Sequence, residues 1–300
     1  MSEVNKQLII ITGPTGVGKT SISIRLAQHL ETVILSADSR QFYKEMSIGT
    51  AVPTKEELRS IKHFFIQNIS IYDDFNVSKY EQEALSLLAL LFKSYNKIIL
   101  CGGSGLYIDS LCNGIAPLPN PDIDLRKKLN KIFIDKGISY LQNQLINLDP
   151  EYYSNVDIHN PNRLIRAIEV CIITGQKYSE LRKHDNVERF FDIKYIALNR
   201  ERNELYSIIN KRTDAMIEQG FEEEARKLHP FKHLNALNTV GYKELFAYFE
   251  NEYNLNEAID KIKVNTRRYA KRQLTWLKAN HNYRWFHPDN YELIKKHIDE

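Results

Sequence analysis

The residues best suited to chemistry stand near the N-terminus. Gly13-Pro14-Thr15-Gly16-Val17-Gly18-Lys19-Thr20 fits the spacing GxxxxGK[ST]. It follows an apolar run, Leu8-Ile9-Ile10-Ile11, and precedes an amphipathic run from Ser21 to Leu30, which predicts strand, glycine loop and helix in that order. Glycines let the backbone curl so that successive N–H groups aim at phosphate oxygens. Lys19 adds a mobile positive charge, and the Thr20 hydroxyl is a ligand type for Mg2+. A Gly-rich turn joining strand to helix is the plain alternative, but it has no need of Lys-Thr at its end. The loop therefore reads as a polyphosphate cradle, and taken alone it favours ATP.

Other candidates are weaker when taken singly. Asp38, just past a second predicted strand (Thr32–Leu35), lies in Ser36-Ala37-Asp38-Ser39-Arg40-Gln41. A carboxylate there could take a proton from a nucleophile, hold Mg2+ through water, or only cap a turn. Ser104 occupies a second glycine turn, Gly102-Gly103-Ser104-Gly105-Leu106-Tyr107, and could donate to a ligand or merely satisfy backbone. In Asn162-Arg163-Leu164-Ile165-Arg166, Arg163 and Arg166 share a helix face, as a solvated pair or a phosphate grip. Arg212 reads either as an ordinary exposed helix residue or as a cation on a leaving group. Residues 261–278 hold seven Lys/Arg and no acid. Ile262, Thr266, Tyr269, Leu274 and Leu277 recur there at helical spacing, so one face can pack while the other presents a basic surface to a nucleic-acid backbone, with Tyr269 and Trp276 close by.

These residues need elements to position them. The chain has 300 residues, 43% hydrophobic, with net charge +3: enough for a substantial core, and any nucleic-acid surface must be local. Cys101, Cys112 and Cys171 show no metal or disulfide spacing and read as small buried hydrophobes in a reducing compartment. No signal-like or membrane-spanning stretch is seen, so a cytoplasmic protein with no membrane partner is expected. Further strands are expected within His63–Ile71, at Lys97–Cys101, at Lys194–Leu198 and at Tyr283–Phe286. Capping boxes are expected at Thr54/Glu57, for a short helix, and at Ser78/Glu81, for a long helix to about Ser94. The proline-rich break Ala116-Pro117-Leu118-Pro119-Asn120-Pro121 opens a helical block with helices near 122–135, 138–147 and 161–174. Helices near 202–219, 221–228, 241–250 and 256–279 follow. The expected fold class is α/β, a P-loop NTPase-like parallel sheet flanked by helices, with a helical insertion domain and a helical C-terminal region. The expected domains are 1–116 with 193–300, and 117–192.

Taken together the motifs resemble the bacterial tRNA dimethylallyltransferase family over nearly the whole chain. The phosphate loop, Asp38-Ser39-Arg40-Gln41, Ile48-Gly49-Thr50-Ala51, the 102–107 turn, Asn162 to Val170, and Ala270-Lys271-Arg272-Gln273-Leu274-Thr275-Trp276 are similar to family blocks in the family order. The resemblance implies transfer of a dimethylallyl group from dimethylallyl diphosphate to N6 of adenine-37 in tRNAs reading codons that start with U. It implies that Gly13 to Thr20 grip the diphosphate, with Lys19, Arg212 and Mg2+ near Thr20 on the leaving charge and Asp38 as base. It implies tRNA contacts at Asp38, Ser39, Arg40, Gln41, Ser104, Arg126 and 162–166 (Asn162, Arg163, Leu164, Ile165 and Arg166). It also implies a channel through the sheet domain, an insertion closing over the anticodon stem-loop, and a target adenine flipped out of its stack.

Some positions depart from the family pattern. Gly16 stands where Ala is frequent, Lys62-His63 lacks the first of two usual histidines, and Asn162 replaces a common Gln. No zinc finger follows, as it often does in eukaryotic members, so a bacterial enzyme is expected. One active site serves one tRNA, so a monomer is expected. Three competing readings are a P-loop small-molecule kinase, an isopentenyltransferase acting on free adenine nucleotides, and an RNA-binding P-loop module without catalysis. The kinase leaves the basic helix without a task, and the pure binder leaves Asp38 without one.

Overall fold

The computed structural model describes residues 6–183 and 187–300. Six strands form one parallel sheet: β1 (Gln7–Thr12), β2 (Ile34–Ser36), β3 (His63–Phe64), β4 (Lys97–Cys101), β5 (Asp192–Leu198) and β6 (Arg284–Phe286), in the order β3-β2-β4-β1-β5-β6. A parallel sheet covered on both faces explains why Leu8 to Ile11 is an unbroken apolar run, since all four residues are fully buried. Successive residues serve opposite cores. Leu8 and Ile10 pack with Leu35, Ile98, Leu100 and Tyr80, while Ile9 and Ile11 pack with Ile34, Ile99, Ile196 and Leu26.

The chain divides into two compact units, Met1–Cys112 with Arg189–Glu300 and Asn113–Glu188, a few residues before the boundaries expected from sequence. Arg189 belongs with the sheet because its guanidinium donates to Glu81 Oε1 at 2.6 Å and to the Ser110 carbonyl at 2.7 Å. The second unit is helical: Ile123–Lys136, Ile138–Leu148, Pro150–Asn155, Pro161–Thr174 and Tyr178–Leu181 surround Leu141, Leu145, Leu164 and Ile168. The short helices Pro150–Asn155 and Tyr178–Leu181 are too brief to show a period in sequence. They share one anchor, the fully buried Asp149, which caps the first through Tyr152 N–H and accepts the Ser179 N–H and hydroxyl. A C-terminal helix, Tyr291–Asp299, also goes beyond the sequence reading, which ends at β6. Among the described residues no helix is long and apolar enough to cross a membrane, and the three cysteines are free.

Two local expectations are corrected. The His63–Ile71 stretch is not one strand: β3 ends at Phe64, Phe65 and Gln67 adopt positive φ of 59° and 47°, and the chain then bonds to residues 41–44 through Gln67 N–H to Gln41 O and Lys44 N–H to Ile69 O. The segment is apolar because Phe65 and Ile71 are buried, not because it is extended. The long helix Val77–Leu91 is capped not by Ser78 with Glu81 but by Asn76, whose side-chain Oδ1 accepts the Ser78 and Lys79 N–H groups, while Glu81 takes Arg189. The Thr54/Glu57 box is present as expected. Asn76→Ala therefore lowers unfolding free energy by about 1 kcal/mol, and Ser78→Ala leaves it within about 0.5 kcal/mol, as measured by denaturant titration.

Candidate active site

The phosphate loop stands at the carboxyl end of β1, and backbone shape explains its glycines. Gly13 has φ 150°, and a Cβ there would sit 2.6 Å from the Leu198 carbonyl oxygen of β5. Gly18 is the N-cap of the Lys19–His29 helix with φ 105°, a left-handed conformation that side chains disfavour. The amides that follow open the helix N-terminus toward any bound anion. Behind the loop, Arg200 Nε donates to the Val17 carbonyl at 3.1 Å and its guanidinium pairs with Asp289 and Glu204, which pins the cradle from outside.

Positive charge is held inside the cradle. Lys19 Nζ donates to the Gly13 and Pro14 carbonyls at 2.9 and 3.0 Å. Burial lowers its pKa from 10.5 to about 8, partly opposed by the nearby Cys101 and Asp38. Arg212, on the Arg202–Glu218 helix, reaches the loop and donates to Thr15 Oγ1 at 3.0 Å. Burial lowers its pKa as well, and Asp38 opposes that shift, so Lys19, Arg212 and Asp38 share one electrostatic neighbourhood. Burial pushes the Cys101 thiol, at the end of β4, up from its ordinary value.

Asp38 lies past β2 in a tight turn. Its Oδ1 accepts the Arg40 N–H at 3.0 Å, so this carboxylate does cap a turn. Turn capping occupies one carboxylate oxygen and is compatible with proton transfer at the other. The second glycine turn is tied to this one: Ser104 N–H donates to the Ala37 carbonyl, and Ser104 Oγ accepts the Ser39 N–H at 2.9 Å and meets Ser39 Oγ at 3.2 Å. Arg40 and Gln41 are engaged within the fold. The Arg40 guanidinium donates to the Asn235 and Ala236 carbonyls, and the Gln41 amide to the Thr50 and Ala51 carbonyls. That second bond explains the 48–51 block, whose loop is also seized by Glu224 through the Ser47, Ile48 and Gly49 N–H groups.

In the helical unit the segment 162–166 splits. Asn162 and Arg163 are exposed, whereas Leu164 and Ile165 are buried in that unit's core. Those two side chains do not reach solvent, because the face of the helix that carries them packs on Leu141 and Leu145. Arg166 and Arg126 both pair with Glu169, which is fully buried, and Arg166 also donates to the Pro119 carbonyl at 2.7 Å. A buried carboxylate demands such partners. The two arginines are thus first of all ion-pair members, with exposed edges left over.

The basic stretch is one helix, Leu255–Lys278. Lys263 pairs with Asp214 and Arg267 donates to Asn210 Oδ1, so two of its cations face inward, while Lys261, Arg268, Lys271, Arg272 and Lys278 are exposed. Its inner face carries Gln273, a site residue that sequence reasoning passed over. Its sequence signals are its place in the 270–276 block that resembles the family and its uncharged amide within a cationic run, one turn after Tyr269. For magnesium, Thr20 offers a hydroxyl beside Lys19 in the first turn of the loop helix. Among the described residues no group of three or more His, Cys, Asp or Glu gathers. A lone hydroxyl is a hard oxygen donor, the ligand type Mg2+ takes alongside phosphate and water.

Known proteins share this chain's sequence and fold. The IPP transferase family profile matches residues 41–280. The chain belongs to the IPP transferase family. It is 50% identical over 286 residues to the tRNA dimethylallyltransferase of Christiangramia forsetii, covering 95% of each chain. It is 47% identical over 287 residues to tRNA dimethylallyltransferase 2 of Azobacteroides pseudotrichonymphae, covering 96% of this chain and 94% of that one. Among solved structures it is similar to the tRNA isopentenylpyrophosphate transferase of Bacillus halodurans, with a TM-score of 0.72, 33% identity and coverage of 98% and 96%. It is also similar to a eukaryotic dimethylallyltransferase crystallised acting on tRNA, with a TM-score of 0.73, 26% identity and coverage of 91% and 70%. This IPP transferase is therefore a transferase built on a P-loop-like sheet, as the motifs imply.

Lys19 gives a signed pH dependence. Its ammonium is charged below its folded pKa of about 8 and neutral above it. Binding of a diphosphate to the free enzyme should therefore take up a proton and weaken by up to about tenfold per pH unit above pH 8. Calorimetric titration in buffers of different ionisation enthalpy measures that uptake, and Lys19→Met should abolish it.

Proposed function

We propose that this IPP transferase transfers a dimethylallyl group from dimethylallyl diphosphate to N6 of adenine-37 in tRNAs reading codons that begin with U. The observation that carries the reading is the convergence of Asp38, Lys19 and Arg212 on the phosphate loop, which sets a proton acceptor and two cations around one anion site. A kinase would use both the cations and the carboxylate, but it leaves the exposed cations of the Leu255–Lys278 helix without a task.

In this mechanism the adenine N6 attacks C1 of the allyl group. The N6–C1 bond forms, the C1–O bond breaks, and diphosphate leaves carrying the electron pair. The amides of Gly16 to Thr20, the Lys19 ammonium and the Arg212 guanidinium stabilise the charge that grows on the leaving oxygen. The Thr20 hydroxyl would hold Mg2+, which when bound would supply further charge neutralisation to the diphosphate. Asp38 accepts the N6 proton through the oxygen not committed to Arg40 N–H. The exposed cations of the Leu255–Lys278 helix attract the RNA backbone, with Asn162 and Arg163 contributing from the helical unit. Ser39 and Ser104 hold the turn bearing Asp38, which is the support a base needs when its substrate is a flipped nucleotide.

Labelled dimethylallyl diphosphate supplied with unmodified tRNA or with AMP tests the reading; label entering AMP alone would falsify it. Asp38→Asn retains an oxygen to accept Arg40 N–H but cannot take a proton, so kcat should fall about 10²- to 10⁴-fold with little change in tRNA affinity. Full turnover in that variant removes Asp38 as base. Joint neutralisation of Arg268, Lys271 and Arg272 to Gln should flatten the slope of log Kd for tRNA against log salt by about 2 to 3. An unchanged slope takes the helix out of the RNA interface.

A further inference from the structure

The inner face of the Leu255–Lys278 helix is as specific as its outer face is basic. Gln273 is 8% exposed and both ends of its carboxamide are used. Its Oε1 accepts the Thr15 N–H at 2.8 Å, and its Nε2 donates to the Gly103 carbonyl at 2.8 Å. One side chain therefore spans the phosphate loop after β1 and the glycine turn after β4. Gly103 itself leaves room for this, because a Cβ there would collide with Gln273 Nε2 and lie 3.5 Å from both Lys19 Nζ and the Gly13 carbonyl. The bridge thus passes beside the Lys19 ammonium.

Two neighbours on the same stripe, at spacings of four and three, touch the remaining parts of the site. The Tyr269 hydroxyl lies against Ser104, in the field of Asp38 and Arg40. The Trp276 indole packs on Gly105, where any Cβ would strike the ring, and hydrogen-bonds Asp109. On the opposite side of the helix Arg268 and Lys271 are exposed, and Arg272, also exposed, flanks the stripe with its guanidinium 5.6 Å from the Tyr269 ring centroid. A buried amide with both ends satisfied holds its partners at a set distance, and leaving either end unmet is costly. A displacement or stiffening of this helix is therefore passed to the Thr15 amide and the Gly103 carbonyl together.

We infer that Gln273 is a positioning residue that couples RNA held on the outer face of the Leu255–Lys278 helix to the geometry of the phosphate cradle, so that acceptor RNA and diphosphate substrate bind cooperatively. The inference rests on the activity proposed above. RNA docking restrains the helix, the carboxamide orders the two loops, and the diphosphate then meets a cradle whose ordering cost is already met. Linkage requires the effect to be reciprocal.

The test measures affinity for an unreactive thiodiphosphate analogue of dimethylallyl diphosphate, with and without a saturating anticodon stem-loop RNA, and the RNA affinity with and without the analogue. In the wild type each ligand should tighten the other by about tenfold. Gln273→Met, similar in volume but unable to form either bond, should bring this factor to about one, whereas a merely structural role lowers Tm and leaves the factor unchanged. Should Gln273→Met fail to fold, Gln273→Asn, polar but too short to span the two loops, supports the same comparison. A factor of one in the wild type, or an undiminished factor in the folded variant, overturns the coupling while leaving the proposed activity intact. Failure of the wild type to bind either ligand overturns both.

Discussion

A diphosphate can be held only where unpaired N–H groups and positive charge persist without a resident anion to cancel them. The rest of this molecule is arranged around that constraint. Lys19 rests on the Gly13 and Pro14 carbonyls, partial negative charges that orient it without neutralising it, and burial lowers its pKa to about 8. Arg212 waits on the Thr15 hydroxyl rather than on a carboxylate. Asp38 spends an oxygen on its own turn, and among the described residues no close ion pair joins it to either cation. A direct pair would leave the cradle neutral and the base occupied.

The same economy of partners governs the surfaces offered to RNA. On the Leu255–Lys278 helix, Lys263 and Arg267 are spent on Asp214 and Asn210, and among the described residues the remaining cations form no ion pair with an acid. In the helical unit Glu169 is fully buried and takes both Arg126 and Arg166. That pairing fixes the two guanidiniums in place while cancelling part of their charge, so Arg163 is left as the exposed cation of its segment. Arg40 and Gln41, beside Asp38, are likewise engaged with neighbouring carbonyls, which makes them parts of the scaffold of the turn.

The motifs were legible because their chemistry is local. A GxxxxGK[ST] loop between an apolar strand and an amphipathic helix needs no partner to be understood, and neither does a cation run lacking acids. The residues that escaped were those whose role is a long-range bond. Gln273 is an uncharged amide in a cationic run and Glu224 stands in a Glu run, and neither pattern shows the bonds that Gln273 makes to Thr15 and Gly103 or the three N–H groups of residues 47–49 that Glu224 accepts. Asn76 was passed over as a cap because Ser78 and Glu81 fit a box equally well, and only the placement of Arg189 shows where Glu81 is engaged.

The sequence by itself determined the parallel sheet, the helical block set within it, the phosphate cradle and the family. Each of these depends on periodicity, on glycine conformation or on residues adjacent in the chain. Tertiary structure alone decided which charges remain available. Buried Glu169 takes up Arg126 and Arg166, Leu164 and Ile165 turn into the core of their unit, and Arg212, whose sequence leaves both an exposed and a leaving-group role open, reaches Thr15. Charge and exposure are properties of neighbours, and neighbours are set by folding, not by order along the chain.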